Sequence, residues 1–325
     1  MLMATSDRQV MALAQHAQAL SEAVHWWQTD LPTLSTILEK NRLYLHADGL
    51  GLPTIPSTPC TDLPTVSAWC ARFPGPYLLK PSYVGCADAK LTEKNKVFAN
   101  STSLLAFLSA TGSQAVLVQQ LMAGGDGEIF DTYGFCDAKG QIVCLSTHRR
   151  LRQLPPDLGS TTYGEIPARL GQAEGLILGQ ARVLLQSLHY HGIFGIEWLR
   201  DRATNRFYLI DFNARPFSSI GHLRDCGVNL PWLAYQELVG ERAVGLPLVP
   251  ALQHRYWIDL FRDSQSLQCP RTIKSSSAPS RWQTLKQASS FAYWEWLDPG
   301  PAMLKTATLL WSKALRSKGL LQRLL

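Results

Sequence analysis

Asp211, Asn213 and Arg215 stand two apart at the end of an apolar run, Tyr208-Leu209-Ile210. On an extended strand, residues two apart point to the same face. Glu197 lies on the preceding run, Ile196 to Leu199, and the polar stretch Asp201-Arg202-Ala203-Thr204-Asn205 separates the two runs. Such residues leave a sheet in a turn, so Gly192 to Arg215 reads as a strand hairpin. Two carboxylates and a carboxamide on adjacent strands form a hard-oxygen set. That set suits Mg²⁺, which takes few protein carboxylates and completes its shell with phosphates. A guanidinium at Arg215 could hold a phosphate or an acyl phosphate in a fork. Spacing alone fits an amphipathic hairpin with a solvated polar face equally well.

The elements around the hairpin must then supply a nucleotide pocket. Residues 6 to 45 carry helical periodicity, with Ser6 or Asp7 as a cap and Val10, Leu13, Ala17 and Leu20 in phase. Pro32 opens a second helix, with Leu34, Ile37, Leu38 and Leu45 on one face and Lys40 along it. Leu63 to Arg72 reads as a helix. Tyr77 to Pro81 reads as a short buried strand carrying Lys80, an ammonium that needs an anion beside it when buried. Ser103 to Leu108 begins a helix. Ala115 to Met122 is a strand leading into Gly124-Gly125-Asp126-Gly127-Glu128. Two strands flank the turn at Asp137 to Gly140, and the second ends in His148-Arg149-Arg150-Leu151-Arg152. That cationic end, with Arg149 and Arg152, favours recognition of phosphate or carboxylate over a solvated face, since Gly159-Ser160-Thr161-Thr162 follows at once. Residues 171 to 191 give the strongest helical pattern, and His189 and His191 at its end read as structural.

The order of these pieces resembles the ATP-grasp superfamily. The pieces are Lys40 before Gly51-x-Pro53, Lys80-Pro81, Gln119-Gln120 before Gly125-Asp126, and Glu197 before Asp211-x-Asn213-x-Arg215. Asp225-x-Gly227-x-Asn229-x-Pro231 adds a further match. Asp211 stands where that family usually has Glu, one methylene longer. The resemblance covers about Lys40 to Leu233 and implies an α+β fold of two lobes clamping a nucleotide. It also implies that most of the usual N-terminal α/β domain is absent, with either a partner subunit expected to complete the site or the chain expected to be a shortened form.

It implies the following residue roles. Lys40, Lys80, Lys90, Gln119, Gln120, Leu121 and Met122 hold ATP, and Asp126, or else Glu128, holds the ribose. Glu197, Asp211 and Asn213 hold Mg²⁺, for which Mn²⁺ could substitute. Arg215, Lys80, Arg149 and Arg152 act at the reacting groups. The implied reaction joins a small-molecule carboxylate to an amine through an acyl phosphate, with release of ADP and phosphate. A catalytically weak ATP-binding scaffold or peripheral membrane protein is the alternative. The expected parts are a helical remnant at 1–56, a small nucleotide-clamping lobe at 57–122, a larger lobe with the hairpin at 123–250, and an extension at 251–325.

Composition sets the outer bounds. The 325 residues are 46% hydrophobic and 17% charged, which is globular. The net charge of +6 suits anionic substrates, and no Lys/Arg run with interleaved aromatics marks a nucleic-acid surface. Seven scattered cysteines, Cys60, Cys70, Cys86, Cys136, Cys144, Cys226 and Cys269, form no C-x-x-C pair. They point to a reducing compartment, hence a cytoplasmic protein without a disulfide framework or structural zinc. The N-terminus lacks the pattern of a signal peptide. Met303 to Leu325 reads as an amphipathic helix with Lys305, Lys313, Arg316, Lys318 and Arg323 and no acid. It fits an anionic membrane surface at the inner face, or a helix docked on its own domain or on a partner.

Overall fold

The computed structural model describes residues 1–27, 29–82, 95–112, 115–241, 252–271, 273 and 279–317, with side chains to residue 311. Lys90 and residues 274–278 lie outside the described residues.

The chain opens with four helices. α1 (Asp7–Gln15) starts at a capping box formed by Ser6 and Gln9. α2 (Ala17–Leu20) follows, then α3 (Leu31–Leu38), capped by Asp30 with Pro32 in its first turn. The single helix expected from Pro32 onward is two. Glu39 is extended, at φ −93° and ψ 109°, and a new helix, α4 (Lys40–Gly49), begins at Lys40. The break changes the phase. Leu34, Ile37 and Leu38 are buried, whereas Leu45 is 65% exposed and not on the core face.

The small lobe is a four-stranded sheet covered by two helices. Its elements are β1 (Ser57–Pro59), α5 (Leu63–Arg72), β2 (Tyr77–Pro81), β3 (Lys96–Phe98), α6 (Ser101–Thr111) and β4 (Val116–Gln120). The strand order is β1-β4-β2-β3, antiparallel throughout. Asp62 and Asn100 cap the two helices, and Gly112 ends α6 in the left-handed region at φ 61°. Val66, Cys70, Leu79, Leu104, Leu108 and Val118 fill the core between helices and sheet.

The large lobe is built on a seven-stranded sheet. β5 (Ile129–Cys136), β6 (Ile142–Leu154) and β7 (Ser160–Ile166) form a meander. α7 (Ala173–Ser187) then crosses one face, burying Ile177, Ala181, Leu184 and Leu185. Each buried leucine or isoleucine contributes about 1.5–3 kcal/mol. The hairpin follows as β8 (Gly192–Asp201) and β9 (Arg206–Asn213). α8 (Ile220–Asp225) and α9 (Leu230–Leu238) pack on the other face, α9 capped by Asn229. Finally β10 (Arg255–Ile258), α10 (Leu260–Ser266), α11 (Arg281–Gln287), β11 (Ala288–Phe291) and α12 (Gly300–Ser317) complete the chain. The sheet order is β11-β10-β7-β6-β5-β8-β9. The stretch expected as an extension after residue 250 therefore supplies two strands of the large sheet, with β10 paired antiparallel to β7.

The hairpin contains a bulge that sets the site. Gly195, Ile196 and Glu197 pair with Asn213, Phe212 and Asp211, but Trp198 pairs with Leu209. Ile210 is the extra residue, and such an insertion flips the alternation of the strand that carries it. Phe207, Leu209 and Phe212 thus all reach the core, although 209 and 212 differ in parity. Ile210 and Asp211, adjacent in sequence, both line the cleft.

Candidate active site

A cleft of about 620 Å³ lies between the two sheets. Lys80 from β2 and Gln119 and Gln120 from β4 line it from the small lobe. Leu121, Met122, Gly124 and Gly125 form the crossing between lobes. Arg150, Glu197, Ile210 and Asp211 line it from the large sheet, and Lys40 enters at the start of α4.

The charged groups are arranged in pairs. Lys40 Nζ donates to Asp211 Oδ1 at 2.7 Å, and the two side chains are 6% and 23% exposed. Burial pulls the Lys40 ammonium down, but Asp211, with Tyr44 and Glu197, carries it above its ordinary value. Tyr44 Oη donates to Ile210 O at 2.7 Å and pins α4 to the bulge. Glu197, directly across from Asp211, accepts from Arg150 at 2.8 Å and from Asn213 Nδ2 at 3.0 Å.

Arg150 is in turn forked onto Asp131, which also accepts from His148 Nδ1 at 2.7 Å and from Tyr133 Oη at 3.1 Å. Burial pushes the Asp131 carboxyl up; Arg150 and His148 outweigh it and bring it down to about 2. Arg150 also donates to Gly159 O at 3.2 Å. A Cβ at Gly159 would sit 2.1 Å from the carbonyl carbon and oxygen of Leu154. Backbone cannot yield as a side-chain tip can. Gly159→Ala is therefore expected to cost about 1–3 kcal/mol of stability and to displace Arg150. Chemical denaturation checks this, and an unchanged midpoint rejects the close packing.

The other expected site residues take different positions. Arg152 is fully buried and points away from the cleft; it pairs with Asp263 and donates to Thr284 Oγ1 at 3.1 Å. Arg149 donates to Gly127 O at 2.8 Å and lies 3.8 Å from Glu165 and 3.9 Å from Glu128. Glu128 is buried and held by Arg200 and Arg202 at 2.9 and 2.6 Å. Asp126 is buried beside Gln153, Asp157 and Arg271, behind the glycines that line the cleft. Burial, resisted by Gln153 and reinforced by Asp157, raises its carboxyl to about 6.

Arg215 lies where β9 has ended and the chain turns at Pro216. Its guanidinium donates to Asp7 Oδ1 of α1 at 2.6 Å and to Asn213 Oδ1 at 2.9 Å. Alternation placed it on the face of Asn213, but alternation lapses where the strand stops. Arg150, Asp131 and Gln153 were not singled out from sequence. The signal for Asp131 was an acid inside the apolar run Ile129 to Cys136.

The donor set fits a hard cation at two positions. Glu197 and Asp211 face each other across the hairpin, each compensated here by a protein cation. Asn213 turns its amide nitrogen toward Glu197 and gives its oxygen to Arg215, so it joins the set only after an amide flip. Among the described residues no cluster of three or more His, Cys, Asp or Glu side chains forms a metal site. Two carboxylates that leave room for phosphate oxygens match Mg²⁺ better than an ion needing a closed protein cage.

Two α+β lobes with a cleft between them, and a carboxylate hairpin at its base, define the ATP-grasp fold. Solved structures share it. N5-carboxyaminoimidazole ribonucleotide synthetase, in a complex with ADP, superposes with a TM-score of 0.60 at 13% identity, over 81% of this chain and 73% of that one. The biotin carboxylase domain of 2-oxoglutarate carboxylase from Hydrogenobacter thermophilus, solved with MgADP, ADP and bicarbonate, gives 0.61 at 14% identity, over 76% and 55%. L-amino acid ligase from Bacillus licheniformis gives 0.55 at 15% identity, over 72% and 54%. The chain thus spans between about half and three quarters of the length of these proteins. No family model and no curated relative matches the chain.

Proposed function

We propose that this protein is an ATP-dependent ligase that joins a carboxylate to an amine through an acyl phosphate. The observation that carries the reading is the convergence of Lys40, Lys80 and Arg150 on one cleft that also holds Glu197 and Asp211. Three cations and two carboxylates are what a polyphosphate and its counter-ion require. The solved proteins of this fold named above include two with bound ADP, one of them as its magnesium salt.

Ile55, Ile129 and Leu199 form a small apolar cluster, with Met122 and Ile210 packed against it. This cluster offers an apolar surface to a nucleobase. Gln119, buried at the same cleft beside Tyr44, carries an amide nitrogen that can donate to a base nitrogen. Lys80 and Lys40 lie toward the phosphates. Glu197 and Asp211 would hold Mg²⁺, which supplies charge neutralisation to the β- and γ-phosphates. Arg150, fixed by Asp131, presents its guanidinium to the transferring phosphoryl group. The substrate carboxylate attacks the γ-phosphorus in line, and ADP leaves. The amine then adds to the acyl carbon and phosphate departs, giving an amide. Ribose recognition, expected at Asp126 or Glu128, falls instead to groups at the cleft wall, because both acids are buried behind it.

The test is ADP release by the purified chain with Mg·ATP across a panel of amino acids and small carboxylates, each with and without an amine. Stimulation by one carboxylate–amine pair is the expected outcome. ATP binding without ADP formation on any pair rejects the ligase reading in favour of a nucleotide-binding scaffold. Stimulation by a carboxylate alone, with a stable phosphorylated product, identifies a phosphotransferase.

A further inference from the structure

The last part of the chain presents an apolar surface that the fold leaves open. α12 turns Met303, Leu304, Ala307, Leu310 and Trp311 outward. Their spacing of 0, 1, 4, 7 and 8 residues is one face of a helix. Met303 is 66%, Leu304 70%, Leu310 64% and Trp311 68% exposed. Beside them Trp296 and Leu297 are 84% and 97% exposed. Between α12 and the end of β11 runs a groove of about 630 Å³, lined by Phe261, Phe291, Trp294, Met303 and Leu310. Soluble monomers rarely leave a contiguous apolar surface of this kind uncovered.

Charge selects the occupant. From residue 299 to the C-terminus the chain has five Lys or Arg and no Asp or Glu. Lys305 lies half-buried with its ammonium 5.3 Å from the Tyr293 ring, its stem against the apolar surface. An apolar helical face with indole rings, followed by cations without acids, matches the boundary between acyl chains and anionic headgroups. No helix among the described residues is long and apolar enough to cross a membrane. We propose that α12 and the Trp294–Trp296 segment form an interfacial anchor that lays this protein on an anionic lipid surface. The apolar face enters the acyl boundary, and the basic residues meet the headgroups. The proposal is independent of the reaction at the cleft.

The experiment is co-sedimentation of the full chain with vesicles of phosphatidylcholine, alone or mixed with phosphatidylglycerol, at low and high salt. Binding to the mixed vesicles, weakened by salt, is expected. The double variant Leu304→Gln/Trp311→Ser is expected to lower partitioning at least about tenfold, with an unchanged thermal midpoint because both side chains are exposed. Three outcomes overturn the proposal. One is failure of the wild-type chain to bind mixed vesicles at low salt. Another is equal binding to neutral and anionic vesicles. The third is a dimer in light scattering that the double variant dissolves, which gives the face to a second copy of the chain.

Discussion

On the proposed reaction, Asp211→Asn is expected to lose ADP formation by about 10²–10³-fold, the scale at which one electrostatic contact at a transferring group operates. It also destabilises the protein, because Asp211 is the carboxylate against which the Lys40 ammonium is buried. Removing one member of a buried pair leaves an uncompensated charge and costs roughly 3–5 kcal/mol. The partial exposure of Asp211, at 23%, places the loss toward the lower end. Stability and chemistry are separated by the double variant Lys40→Met/Asp211→Leu, which recovers most of the unfolding free energy and none of the turnover. Full ADP formation by Asp211→Asn would remove this residue from the site.

Arg150→Met has the second largest effect. It leaves Asp131, which has no exposed surface, without the guanidinium that forks onto it. The expected loss is again about 3–5 kcal/mol, measured by urea denaturation near neutral pH. The pH dependence carries a sharper signature. Asp131 has a folded pKa of about 2, below its ordinary 3.8. A depressed carboxylate contributes stability that is fully present above the unfolded pKa and is lost as pH falls through the folded one. For a shift of this size the contribution is about 2 kcal/mol, and it disappears between about pH 4 and pH 2. In Arg150→Met the carboxyl loses its main counter-charge, so this acid-sensitive increment shrinks. A wild-type-like profile in the variant rejects the assignment of Arg150 as the group that holds Asp131 ionised.

The lobes were legible because each rests on local signals. The pattern of Ala173 to Leu188 announces a buried helical face, and Asp201 to Asn205 breaks the hairpin where it turns. Lys80, Glu197 and Asp211 stand out from the short runs that carry them, whereas Lys40 joined them only through the resemblance to the ATP-grasp order. The bulge at Ile210 has no such signature. It is set by competition between Leu209 and Phe212 for the same core, which only tertiary packing decides. Glu39 likewise looks like any helical residue, yet it is extended, and so Leu45 was assigned to the wrong face. The arginines show the limit most clearly. Arg149, Arg150 and Arg152 share one strand and one chemistry. Their separate fates follow from which acid each one meets, Glu165, Asp131 or Asp263, and register shifts around Arg152 break the simple alternation. Those acids lie 16 to 111 positions away in the chain, beyond the reach of pattern reading.

The extended Glu39 also leaves the backbone N–H of Lys40 free of its own helix, and it donates to Ser82 O at 3.0 Å. Ser82 follows β2 directly and is tied through its own N–H to Ala115 O, so it moves with the small sheet. The ammonium of the same lysine is bound to Asp211 on the large sheet. One residue is therefore fastened to both lobes, within the span of a single side chain. A point fastened to two bodies is a fulcrum: they can rotate about it, but it hardly travels itself. If the lobes part, the Lys40–Asp211 pair is the part of the cleft that moves least.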